Sequence, residues 1–165
     1  MKTKEKLSED LLELFAEANE EELIVLKQLL AGISQKKHGE KTTYLDGLYN
    51  MDIQLKDQEC ILEIPLSPLL NNPLNIVHGG VIATIIDTAM GTLSNSFLQE
   101  FEGAVTTQLN VHYLAQSKGD YLICKAKCDH KGAKTMVLSA EVYREDGKKV
   151  AQASGSFFIV RKQEY

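Results

Sequence analysis

A histidine, two glycines and one acid carry the chemistry that can be read from this chain. His78, Gly79 and Gly80 stand immediately before an apolar run, Val81 to Met90, and Asp87 lies inside that run, nine residues after the His. An unpaired ionised carboxylate is costly to bury, so a lone acid among Val, Ile and Met side chains needs a task. The diglycine hints at it. The first turn of a helix has backbone N–H groups without intrahelical partners and the positive end of a dipole, and glycine lets another group approach that backbone closely. Donors aimed at a developing oxyanion, together with a carboxylate base, are the parts needed to hydrolyse an activated acyl group.

Other chemistries have weaker support. Ser94 and Ser96 lack the Gly-x-Ser-x-Gly elbow of a serine hydrolase. Cys60, Cys124 and Cys128 have no C-x-x-C spacing and are expected to be reduced thiols in a cytoplasmic protein, two of them on one strand face, with metal ligation the minor alternative. His38, His112 and His130 show no ligand spacing, so no metal site is expected. The net charge of −5 and the absence of any Lys/Arg run beyond Lys36-Lys37 or Lys148-Lys149 argue against a nucleic-acid partner. No apolar stretch reaches the ~18 residues of a membrane span, and the start of the chain turns acidic and amphipathic rather than apolar, so neither membrane association nor a signal peptide is expected.

These groups must be held by an ordered scaffold. Residues 8–38 read as two helices, the first from Ser8 and the second capped by Asn19, with Glu20, Glu21 and Glu22 in its first turn. Leu23, Leu26, Leu30 and Ile33 recur there at helical spacing. Residues 1–43 are thus an N-terminal helical arm, suited to packing or oligomer formation, and 44–165 a second domain. Leu48 to Leu55 and Cys60 to Ile64 read as strands, and Pro65, Pro68 and Pro73 break the following segment. An apolar helix runs from about Gly79 to Leu98. Beyond Gly103 the pattern alternates, with Val105, Thr107, Leu109, Val111 and Tyr113 on one face and Thr106, Gln108, Asn110 and His112 on the other. Strands over 120–129, 134–144 and 149–160 follow, joined by hairpin-length turns that make neighbours antiparallel. The class is α+β: one long helix wrapped by a five- or six-stranded antiparallel sheet.

A strand pair, a His-Gly-Gly helix with an acid nine residues on, then a meander resembles the hotdog-fold acyl-CoA thioesterases, most closely the phenylacetate-pathway branch. The likeness covers roughly residues 45–160. Asn72, six residues before the His, Val105-Thr106-Thr107 at the start of the next strand and the terminal segment Val150 to Phe157 add to it. The resemblance implies that Gly79 supplies the backbone donor to the thioester oxygen and that Asp87 is base or nucleophile. It implies that Asn72 positions water or substrate, with Asn75 a competing candidate, and that Thr106, where this branch often has Ser, holds the attacking water. His78 is expected to support the turn or contact substrate rather than act as a base. Gly80 and the basic hairpin Lys131, Gly132 and Lys134 are the candidate contacts for coenzyme A, a solvated turn being an equal reading of the hairpin. Coenzyme A would be a leaving group, with no separate cofactor.

Spacing adds one inference of its own. Gly79 and Asp87 are eight residues apart on one helix, about 12 Å at ~1.5 Å per residue, whereas groups acting on one carbonyl lie within roughly 3–3.5 Å of their targets. Two antiparallel copies of the helix crossing near Ala83 would bring Gly79 of one to Asp87 of the other. The small or polar row Gly80, Thr84, Asp87, Gly91 and Ser94 suits such an approach. A homodimer is therefore the expected minimum, and a homotetramer is expected. A non-catalytic acyl-CoA sensor and a hotdog hydratase or dehydratase are the alternatives. The latter families place Pro near the His and a longer gap before the acid, unlike this chain.

Overall fold

The computed structural model describes residues 2–161 and divides the chain into two compact units, residues 1–50 with 67–69, and 51–66 with 70–165.

In the first unit α1 spans Lys2–Glu17, α2 Glu20–Lys37 and α3 Tyr44–Leu48. Asn19 caps α2 through a reciprocal pair, its Oδ1 accepting from the Glu22 N–H and its own N–H donating to the Glu22 carboxylate. Thr43 and Asp46 repeat the device at α3. That second box holds Tyr44–Leu48 in a helix, so the strand expected from Leu48 begins only at Asp52. Helix α1 likewise starts before Ser8. Helices α2 and α3 touch at Gly32 and Gly47, where a Cβ on either would meet the other's backbone within 2.5 Å. Gln28 Nε2 donates to the Leu48 carbonyl at 2.6 Å on the same side.

The second unit is a single antiparallel sheet around one helix. Its strands are β1 Asp52–Lys56, β2 Glu59–Pro65, β3 Glu102–Tyr113, β4 Tyr121–Lys131, β5 Thr135–Arg144 and β6 Lys149–Arg161, in the order β1-β2-β4-β5-β6-β3. The helix is α4, Gly79–Ser96. Its apolar side, Ile82, Ile85, Ile86, Ala89, Met90 and Leu93, is buried with strand residues such as Leu62, Leu122, Leu138 and Phe157. Burying a Leu, Ile, Met or Phe side chain contributes about 1.5–3 kcal/mol each, so this layer dominates the unit's stability. Cys60, Cys124 and Cys128 are free thiols. Burial pushes Cys60 up to about 11 and Cys124 further, the neighbouring Cys60 adding to it, and burial also raises Cys128.

One detail of β3 departs from simple alternation. Thr106 pairs with Phe157 and Gln108 with Ser156, so Thr107 is the extra residue of a bulge. The phase inverts there. Paired residues of antiparallel strands share a face, so Thr106 joins Leu109, Val111 and Tyr113 on the helix side, while Val105 points away. An uninterrupted period of two assigns Thr106 to the wrong face.

Candidate active site

Three short contacts shape the turn into α4. His78 is the N-cap, in extended conformation, and its Nδ1 accepts from the Gly80 N–H at 2.9 Å. The next two backbone donors, Val81 and Ile82, are taken by the His78 carbonyl. The Gly79 N–H is left without an acceptor among the described residues, at the positive end of the helix dipole. Both glycines have steric reasons. A Cβ on Gly80 would meet His78 Nδ1 at 3.0 Å, and one on Gly79 would meet the Tyr113 ring at 3.3 Å. The Gly80 N–H is taken by the cap.

Asp87 lies on the open side of α4, two turns along and half-buried. The Thr106 hydroxyl donates to its Oδ1 at 2.8 Å, leaving Oδ2 for another partner. The bulge at Thr107 makes this contact possible by turning Thr106 toward the helix. Seven residues further along β3, the Tyr113 hydroxyl donates to the Gly79 carbonyl at 2.9 Å. One strand therefore fixes both the acid and the donor turn through two hydroxyls. Spacing alone missed Tyr113; its signal was a helix-facing aromatic hydroxyl on the strand that also carries Thr106.

The remaining candidates are more dispersed. Asn72 closes the loop before the His: its Oδ1 accepts from the Leu74 N–H at 2.8 Å and its backbone pairs with Ile76 and Asn75. Asn75 is left-handed, with φ 54°, a conformation Asn tolerates in turns. Ser94, assigned by spacing to the small open row, is buried with its Oγ on the Met90 carbonyl. Asn95 takes the exposed place, bonded to the Gly91 carbonyl and the Ala104 N–H. At the opposite end of α4, Lys131 donates to the carbonyl of the C-cap residue Phe97 at 2.8 Å and sits over its ring. Gly132 turns the hairpin by donating to the Thr135 carbonyl, and Lys134 has an exposed side chain. No helix of the described residues is long and apolar enough to cross a membrane.

Residues 74–151, which include the turn, the acid and most of the meander, match the family model described as the thioesterase superfamily. A Saccharolobus solfataricus protein that bears an esterase name is 31% identical over 110 residues, 66% of this chain and 77% of its own length. The chain belongs to the thioesterase superfamily. It is an enzyme of that superfamily, a hydrolase of acyl thioesters on the hotdog fold. A Bacillus halodurans protein whose crystal structure was solved with CoA is 40% identical, with a TM-score of 0.84 over 89% of this chain and 98% of that one. A phenylacetic-acid-degradation-related protein of Ralstonia eutropha shares the thioesterase fold at 21% identity, with a TM-score of 0.68 over 76% of this chain and 97% of the other.

Proposed function

We propose that this chain hydrolyses acyl-CoA thioesters at a centre shared by two copies, within the phenylacetate-pathway branch of its superfamily. The observation that carries the reading is the unused Gly79 N–H at the head of α4, set two turns from an acid already oriented by Thr106. The thioester carbonyl oxygen accepts from that N–H. Asp87 of a second copy takes a proton from water as the water oxygen attacks the carbonyl carbon, and the oxyanion that forms is held by the same donor. The C–S bond then breaks, the carboxylic acid is released and coenzyme A leaves as the thiol after taking up a proton. Direct attack by the Asp87 carboxylate, through a mixed anhydride that water later opens, uses the same groups.

The dimer reading has support besides helix length. Strand β3 is twelve residues long and stands at the sheet edge, its outer ladder open to another strand. A second copy added there antiparallel extends the sheet and sets the two α4 helices side by side in opposite directions. Coenzyme A as the thiol is supported by the relative solved with CoA and by the exposed Lys134 in a protein of net charge −5. The second unit, which holds Gly79, Asp87 and Thr106, forms the catalytic part in this reading. A thiol-release screen across aryl, short-chain and long-chain acyl-CoAs tests it: turnover with at least one class is expected. Binding of acyl-CoA with release at background throughout would point to a sensor, and hydration of an enoyl thioester without free thiol to a hydratase.

A further inference from the structure

Helix α2 has two distinct faces. Gln28 and Gly32 face α3, whose backbone is in contact at Gly47 and Leu48. On another face, Asn19, Leu23, Leu26, Leu30, Ile33 and Lys37 follow alternating steps of four and three residues and so form one row. Leu23, Leu30 and Ile33 of that row are 40%, 44% and 49% exposed, although each is a side chain that gains from burial. We propose that this row is the seam of an antiparallel pair with α2 of a second copy.

The row reads the same from either end, and that selects the occupant. Turned end for end about Gln28, Leu23 falls opposite Ile33 and Leu26 opposite Leu30, so each large side chain meets another. The charges match in the same register. Glu20, Glu21 and Glu22 open α2 and Lys36 and Lys37 close it, so the acidic end of one helix meets the basic end of its mate. A parallel pair would set acid on acid and base on base. Interfaces of this kind are isologous, the same patch serving on both copies. Lys27, near the axis, stands beside the seam and has a chain long enough to turn outward to solvent. Two and a half heptads are marginal alone. They contribute most where the copies are already tethered through another contact, since the second association is then intramolecular. The proposal is independent of the chemistry at Asp87.

Cross-linking of the full chain tests it. Lys27 lies next to the two-fold axis of an antiparallel pair, so Lys27→Cys with a short bismaleimide should give a covalent dimer well above the wild-type background of Cys128. Leu23→Cys, far from that axis, should not. Lys36→Glu with Lys37→Glu should lower the Lys27→Cys dimer yield several-fold, and adding Glu20→Lys and Glu22→Lys should restore it, with helix content followed by circular dichroism. Restoration cannot come from helix stability, because all four changes oppose the helix dipole. A Lys27→Cys yield at background, intrachain links in place of a dimer, or self-linking of Leu23→Cys as readily as Lys27→Cys would overturn the proposal.

Discussion

Helices α2 and α4 are each eighteen residues long, yet they do opposite things with their surfaces. In α4 the apolar side is buried in the sheet and the open side carries small or polar groups, Gly80, Thr84, Asp87 and Gly91. In α2 an apolar row is exposed and charge is sorted to the two ends. Their caps differ as well. At α2 the cap is a reciprocal pair of side chains, Asn19 and Glu22, whereas at α4 the single His78 ring folds back onto the Gly80 N–H.

The largest effect should come from removing the acid of α4. Asp87→Asn keeps the Thr106 contact possible and removes the base, so kcat should fall ~10²–10⁴-fold with the melting curve unchanged. Gly79→Pro should follow, at ~10²–10³-fold in kcat, by deleting the open donor. Gly79 is the first helical residue and His78 before it is extended, with φ −61° and ψ 135°, so proline fits the backbone and only the Tyr113 ring must shift. Circular dichroism should report α4 intact; a chain that stayed active would contradict the assigned donor. Smaller changes are expected at the strand that holds both groups. Thr106→Val should lower kcat ~10-fold or more, since a hydrogen bond to a charged acceptor is lost, and Tyr113→Phe by less, since a neutral one is lost. Steady-state kinetics with KM little altered would separate orientation from substrate binding.

The smallest expected effect lies in the core behind α4. Burial raises Cys60 from 9.0 to about 11, so the folded state retains a proton that the unfolded chain gives up first. That contribution is fully present below pH 9 and is lost as pH rises from 9 to about 11. Melting temperatures of wild type and Cys60→Ala should therefore converge across that interval; parallel curves would mean that Cys60 does not titrate with unfolding.

The layer architecture was legible because α4 and the strands each keep one period over long stretches, and hairpin turns at Lys131-Gly132 and Glu145-Asp146-Gly147 fix antiparallel neighbours. Two local features hid from periodicity. Tyr44–Leu48 is helical because Thr43 and Asp46 form a capping box, and the strand expected from Leu48 begins only at Asp52. The bulge at Thr107 has no composition signal, and it reverses which side chains of β3 reach the helix. At the site, the turn and the acid were readable from residue type and spacing. The division of labour among backbone donors was not, since it depends on how His78 folds back onto Gly80. Lys131 shows the same limit: its charge was visible in the sequence, but its bond to the end of α4 comes from tertiary packing.

Complementation between two crippled chains addresses the shared centre most directly. Asp87→Asn keeps Gly79, and Gly79→Pro keeps Asp87. Unfolded together and refolded at equal amounts, half the dimers should be mixed, each with one complete centre. Thiol release should recover to about a quarter of the wild-type rate per chain. Recovery no greater than the two variants show separately, with mixed dimers verified by mass, would mean that each subunit works with its own acid and donor.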